Sequence, residues 1–546
     1  MVRPTGTATS WRPTRPDSAP ASTPARLVRA GVLCVGILFA GPFLYLVVRN
    51  AASPADMWQA MAAPGARASL VRSLVLGVAV ALSASVAGTI AAWLVARTDV
   101  PGRNLWRALL PLPLVIPSFI GAFVLIAAFA PGGALESILG LRGLPSVSGF
   151  GGSFATLTLF TYPYVYLPAT ARLRQLPASL EESARLLGMG AARTFFAVVL
   201  PQARSAILAG SLLVFLYTIS DFGVVQLMRY RALTRVIYST RLFDSPTSLA
   251  LSLQVAVLAL LVVHAERALA AGFAHAPPAR RGPALVIHLG RWKGASLAFV
   301  TALVGLALCV PIAVLSWWGV RGFFDGTQGP LELAGGIADL AGPALNTSVS
   351  SVAAAVVALA AIMPVAYLSV RTQSRLGGVV NAVVVAGFAI PGLAIALALV
   401  FWTLGGPAPV GALYQTVPLL VGAYVVHFGA HSLRSAQVAV AAVPQSIDEA
   451  ASTLGARRLR RLVNVELPLM LPGLLAGSGL VLLSAMKELP ATLLLAPAGW
   501  QTLATEIWTA TESALFADAS IAALLLIALS GVLTWALVIR RSDSLV

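Results

Sequence analysis

Charge is what this chain has least of. Only 10% of its 546 residues are charged, while 58% are hydrophobic. A soluble protein needs roughly a quarter of its residues charged to cover its surface, so a soluble globular reading is excluded. Lysine is almost missing: of 37 basic residues only Lys293 and Lys487 are lysines. A phosphate-binding loop of the Gly-x-x-x-x-Gly-Lys-Ser/Thr type needs a lysine after glycine. Trp292 precedes one lysine and Met486 the other, so this polypeptide hydrolyses no ATP through a P-loop and is not read as an enzyme. There are two cysteines, Cys34 and Cys309, both inside apolar runs, which excludes a disulfide framework. Histidine is equally sparse. His427 and His431 form one helical i,i+4 pair without a flanking acidic partner, which reads as an interface feature and not a zinc site. No stretch shows the alternation of membrane barrel strands.

What the chain does have is apolar runs long enough to cross a bilayer. Twelve spans are expected, near 30–48, 70–96, 106–130, 152–173, 205–228, 247–269, 295–319, 346–370, 378–404, 412–433, 472–497 and 516–539. Pro117, Pro163, Pro391 and Pro418 fall inside them, as membrane helices tolerate. The fold class is therefore all-α polytopic. The net charge of +17 is not gathered into an aromatic-interleaved patch, so nucleic acid is not a partner. The basic residues report topology instead. With the N-terminus cytoplasmic, 27 of them fall on the inner side, nine outside and Lys487 within a span, which satisfies the positive-inside bias. One outer cluster, Arg229, Arg231, Arg235 and Arg241, dissents and reads as a solvated loop or a receiver of an anionic partner. Residues 1–29, rich in Pro, Ser, Thr and Arg, read as a disordered cytoplasmic tail. The expected division is a first repeat at 30–272, a cytoplasmic linker at 273–293 and a second repeat at 294–546.

The two halves repeat. Val95-Ala96-Arg97-Thr98 and Ile116-Pro117 match Ser369-Val370-Arg371-Thr372 and Ile390-Pro391 at an offset of 274, after which the offset falls to 267. At that second offset, Glu182-Ser183-Ala184, Gly188 and Leu200-Pro201 match Glu449-Ala450-Ala451, Gly455 and Leu467-Pro468. Six spans per half give parallel repeats, related by an axis along the membrane normal, and a pathway between them is the natural reading. Each Glu follows a Pro and a Ser (Pro177 and Ser179; Pro444 and Ser446), which reads as a capped helix start, where a carboxylate suits the helix dipole. The glycines then end a short helix.

This double pattern resembles the EAA loop of bacterial ABC importer permeases: Glu-Ala-Ala, three residues, Gly, nine residues, Ile-x-Leu-Pro. Val198 and Val465 hold the Ile place and Ser183 the first Ala place. The resemblance covers nearly the whole chain except its N-terminal tail. Met486-Lys487-Glu488-Leu489-Pro490 with Leu503-Ala504-Thr505-Glu506-Ile507-Trp508, and Ser220-Asp221-Phe222-Gly223 in the first half, are similar to the fused permeases of ferric iron importers. The resemblance implies the type I importer permease fold in a bacterial inner membrane. It also implies coupling to two copies of a separate ATPase through the two loops, and delivery of solute by a periplasmic or lipid-anchored binding protein. ATP would be used by the ATPase alone, with no cofactor bound by this chain. Other cargoes remain open (thiamine, a polyamine, a sulfate-like anion), as does a six-plus-six secondary transporter, which would not need two matched cytoplasmic helices.

Asp221 and Glu488 are equivalent at the 267 offset, about 25 Å along their helices at helical rise, with Gly223 and Pro490 two residues later as potential breaks. Charges at such depth are costly unless they face a cavity or a partner. Asp221, Lys487 and Glu488 are therefore candidates to line a gate, with a structural polar lock as the alternative. Lys487 could reach Asp221 across the pseudo-twofold. Carboxylates suit a hard Fe³⁺ ion, yet two do not make a site, and no residue is assigned as a metal ligand. Tyr162, Tyr164 and Tyr166 read as packing aromatics.

Overall fold

The computed structural model describes residues 23–140, 143–273, 286–324, 339–372, 374–455 and 457–534. Of the expected disordered tail, residues 1–22 lie outside them, as does much of the expected linker, while residues 23–29 are helical as the start of the first helix. Within the described residues the chain is helical, and its one β-type pairing is an isolated parallel bridge between Thr98 and Ile287. In the first half, α1 spans Thr23–Ala51, α2 Pro64–Arg97, α3 Ser118–Phe129, α4 Gly149–Thr161 and α5 Pro163–Gln175. A short α6, Ala178–Leu186, precedes α7 (Leu200–Ser220), α8 (Gly223–Leu227), α9 (Leu233–Thr240) and α10 (Ser245–Phe273). The second half repeats this order. After α11 (Lys293–Val304) and α12 (Val310–Phe324) come α13 (Ala341–Arg371), α14 (Arg375–Ala389), α15 (Gly392–Leu404) and α16 (Val417–Ala442). Then follow α17 (Gln445–Thr453), α18 (Leu467–Met486), α19 (Pro490–Leu495), α20 (Leu503–Glu512) and α21 (Phe516–Thr534).

Among the described residues eight helices are long and apolar enough to cross a membrane, and ten spans result if each of two bent pairs counts as one, against the twelve expected. The bends are 92° between 103–115 and α3, and 104° between α14 and α15. They fall at Pro117 and Pro391, where the residue before proline is pushed out of the helical region and Ile116 and Ile390 are extended. The expected spans near 152–173 and 412–433 are helical as α4–α5 and α16, but carry Thr, Tyr, His, Gln and Arg among their apolar residues.

The surface pattern is that of a protein in lipid. On α2, Val71, Val75, Val78 and Leu82 are exposed, and so are their equivalents Leu345, Val349, Val352 and Val356 on α13. Inward, α2 presents Ser69, Ser73, Val80, Ala84 and Gly88. Small residues inside and branched aliphatics outside are what close helix packing in hydrocarbon requires. Hydroxyls in the spans back-bond one turn up the helix, as Thr218 does to the Val214 carbonyl at 2.8 Å and Ser252 to Ser248 at 2.7 Å, so these polar groups are satisfied within their own helix.

Each half has a three-helix centre: α2, α5 and α7 in one, α13, α16 and α18 in the other. The symmetry extends to single bonds. Ser73 accepts from the Leu233 amide at 2.8 Å, and Thr347 from the Leu503 amide at 2.8 Å. The leading helix of each half reaches across to the other. α1 packs on α13, α14 and α15 as well as α10, and α12 on α3 as well as α21. Phe39 of α1 is buried against Gly387 and Gly429; a Cβ on Gly429 would come 2.5 Å from its ring, while one on Gly387 would meet it at 3.6 Å, an ordinary contact.

Candidate functional site

Two sets of residues stand out, one at an end of the bundle and one within it. At the end, α6 and α17 lie between α5 and α7 and between α16 and α18. Pro177 takes the cap position of α6 without any side-chain capping bond, so the expected capped start is absent. The Pro177 carbonyl instead accepts from Leu180 N at 3.4 Å. Glu182 and Ser183 are exposed, while Ala184 is buried against the bundle. Glu449 and Ala450 are exposed too, and Ala451 is half-buried.

Gly188 closes α6 with φ +81°. Its amide donates to Arg185 O at 2.9 Å and that of Met189 to Ala184 O at 3.1 Å, the two bonds of a Schellman motif. Gly455 has φ +77° in the equivalent place. The residue before each glycine is the unexpected one. Leu187 is 81% and Leu454 86% exposed, equivalent leucines held out by the turn. Only their place beside the glycines could have pointed to them.

Beyond each glycine, Arg193 and the Arg457–Arg461 stretch lead into a π-turn, Phe195–Val199 in one half and Leu462–Glu466 in the other. Leu200-Pro201 and Leu467-Pro468 follow at once as the first residues of α7 and α18. Proline lacks the amide and crowds the carbonyl four residues back, and a wider turn at that point accommodates it. The segments that lead into α6 and α17 are also tethered to the bundle. Arg97 donates to Leu176 O at 2.9 Å and Arg371 to Val443 O at 2.8 Å.

Inside the bundle, α7 stops at Ser220 and α18 at Met486, and the chain restarts as α8 and α19. The breaks carry Asp221 and Lys487–Glu488. Asp221 Oδ2 accepts from the Ser118 hydroxyl at 2.8 Å and Oδ1 from Val224 N at 2.8 Å. Tyr217 donates to the same Ser118 oxygen at 2.8 Å, and the Tyr164 ring lies 5.8 Å from Tyr217. Thr234 donates to Asp221 O at 2.7 Å.

Glu488 is 9% exposed and accepts from Ala491 N at 3.2 Å. Its carboxylate lies over Gly392: a Cβ there would come 2.6 Å from Oε1 and 3.3 Å from His427 Nε2. His427 thus joins the carboxylate in space, which its sequence neighbours did not signal. Lys487 crosses to the first half, but to Leu114 O at 2.8 Å and not to Asp221. The two breaks approach one another, since a Cβ on Gly223 would meet Phe119 at 2.6 Å and Leu489 at 3.7 Å. Of the tyrosines, Tyr162 is buried and donates to Leu110 O at 2.7 Å, a packing role. Among the described residues no three His, Cys, Asp or Glu side chains converge as a metal site.

A pseudo-twofold helical bundle with lipid-facing flanks, matched end helices and charged breaks along its interior is a transport permease. The chain belongs to the family of binding-protein-dependent transport system inner membrane components, whose profile matches residues 84–274 and 357–542, once in each half. It is 28% identical over 507 residues, 92% of this chain and 96% of the relative, to the Fe(3+)-transport system permease protein FbpB 2 of Haemophilus influenzae. It is also 25% identical to the sulfate transport system permease protein CysT of Salmonella typhimurium, over 44% of this chain and 90% of that one. A match to the molybdenum transport system permease protein ModB of Azotobacter vinelandii is 33% identical over 26% of this chain and 64% of the relative. The chain is thus a multi-pass membrane transport subunit.

Proposed function

We propose that this chain forms the complete membrane pathway of an ATP-driven ferric iron importer, with α6 and α17 as docking helices for two copies of a separate ATPase. The face bearing them is then cytoplasmic, as are both chain termini, and the opposite face receives a solute-binding protein. The observation that carries the reading is the pair of equivalent leucines, Leu187 and Leu454, held in the open beside exposed Glu182 and Glu449. An apolar side chain presented on a glycine-closed turn, twice and in matching register, suits insertion into a groove on a partner. A secondary transporter has no use for such a pair.

Iron is the preferred cargo because the relative matched over nearly the full length is named for Fe(3+). Sulfate-like anions are the second reading, from the relatives matched over one half. In either case Asp221, Lys487 and Glu488 line the gate. Nucleotide binding and release by the ATPase would shift the bundle between its two access states.

The test is co-purification and uptake. The tagged chain brings an ATPase subunit from native membranes, and L187A/L454A or E182R/E449R loses it while the chain remains folded. In a strain lacking the chain, radiolabelled iron uptake falls, whereas thiamine and sulfate uptake does not. Full-rate transport by the purified chain in vesicles without an ATPase would overturn the reading.

A further inference from the structure

Residues 97–99 hold two parts of the molecule at once. The Arg97 guanidinium is fully buried. Its Nη2 lies 3.0 Å from Glu181 Oε1, on α6, as well as donating to Leu176 O. Burial pushes the Glu181 carboxyl up, and Arg97 pulls it back less strongly. On the other side of the same triplet sits the end of the linker that joins the halves. Ile287 N donates to Arg97 O at 2.8 Å and Asp99 N to Ile287 O at 3.2 Å. Asp99 Oδ1 accepts from Leu289 N at 2.9 Å, and Oδ2 lies 2.8 Å from Lys293 Nζ and 3.0 Å from His288 Nδ1. Lys293 opens α11, and the chain continues into α12, which packs on α3 and α21.

We propose that Asp99 clips the inter-half linker to the base of the first docking helix, so that the two ATPase docking sites are mechanically unequal. The route runs from α6 through Glu181 and Arg97 to Asp99, then along 287–293 into α11 and α12. Movement of α6 is thereby passed directly to the helices that bridge the halves. The sequence of the second half does not repeat the clipping carboxylate. Arg371 repeats the bond to the docking loop, at Val443 O, and Asp448 stands where Glu181 does. At the place of Asp99, however, the sequence has Gln373, which offers no carboxylate to gather an amide, an imidazole and an ammonium. Asp99 is a positioning residue, acting through the linker.

The inference rests on reading α6 and α17 as ATPase docking helices, and the experiment separates the two. Hydrogen exchange of amides 178–186 and 445–453 is followed in the assembled transporter, with and without its ATPase, for the native chain, D99N and K293Q. Both helices gain protection when the ATPase binds. D99N then raises exchange in α6 about tenfold and leaves α17 unchanged, K293Q does the same to a smaller degree, and D99E restores most of the protection. In reconstituted vesicles D99N lowers solute carried per ATP hydrolysed by several-fold, a ratio that a general loss of folded protein would not move. If neither helix responds to the ATPase, the docking reading fails. If both respond and the Asp99 and Lys293 variants move neither helix, or move both equally, the linker proposal fails.

Discussion

The Ser118 hydroxyl donates to Asp221 at 2.8 Å, and the residue equivalent to Ser118 in the second half is Gly392. The exchange compensates for side-chain length. Where the carboxylate is aspartate, a serine reaches it. Where it is the longer glutamate, a glycine makes room, since a Cβ would stand 2.6 Å from the carboxylate oxygen. Either substitution alone should break the fit. G392A should cut solute uptake strongly at a stability cost of only ~1–3 kcal/mol, the usual range for overpacking, and G392A/E488D should recover much of the loss. S118G strands Asp221 Oδ2 and the Tyr217 hydroxyl, whereas S118G/D221E rebuilds the arrangement of the other half. Uptake in cells expressing equal amounts of each variant decides it. Doubles that work no better than their singles would show the two positions to be independent.

Helix contact in each centre depends on a second glycine pair. Gly210 and Gly477 are equivalent, but their neighbours differ. A Cβ on Gly210 would meet Tyr164 O and Val165 Cα, each at 2.7 Å, both backbone. A Cβ on Gly477 would meet Ser435 Cβ at 2.6 Å, a side-chain atom. G210A therefore forces α5 and α7 apart and should destabilise the chain by about 1–3 kcal/mol, with no single truncation able to relieve it. G477A should cost a similar amount but be largely rescued by S435G. Thermal unfolding in detergent, followed by tryptophan fluorescence, measures both. Equal rescue of the two glycines by side-chain truncation would contradict the backbone contact at Gly210.

Much of this was legible in the chain. The Ile116-Pro117 and Ile390-Pro391 pairs marked the two sharp bends, and Gly223 and Pro490 marked where α8 and α19 restart, because proline and glycine act through local backbone geometry. The short helices α6 and α17 were visible for the same reason, with Gly188 and Gly455 fixing their ends. What stayed hidden depends on long-range placement. That Lys487 reaches Leu114 and not Asp221, that Phe39 of the first helix fits between Gly387 and Gly429, and that Asp99 gathers the linker are contacts between residues far apart in sequence. The capped start expected for α6 failed because Pro177, which has no side-chain acceptor, occupies the cap position. Leu187 and Leu454 escaped notice because an apolar residue beside a glycine reads as core unless the turn is known to hold it out.

The Asp99 clip has a defined response to acid. The Lys293 ammonium above all, then the Leu289 amide and His288, hold the Asp99 carboxyl well below its ordinary value of 3.8. A carboxyl depressed in the folded state stabilises it fully above the unfolded value, and that stabilisation is lost only as pH falls through the lower, folded value. Between about pH 7 and pH 5 the ionisation of Asp99 therefore does not change in either state, and the clip should hold. The titratable groups facing this carboxylate are Lys293 and His288. Hydrogen exchange at the Leu289 amide, corrected for the intrinsic rate, should show the same protection at both pH values in the native chain. D99N, which keeps the shape but removes the charge, should lose protection at both. Loss of protection in the native chain between those two pH values would mean that a group other than Asp99 fastens the linker.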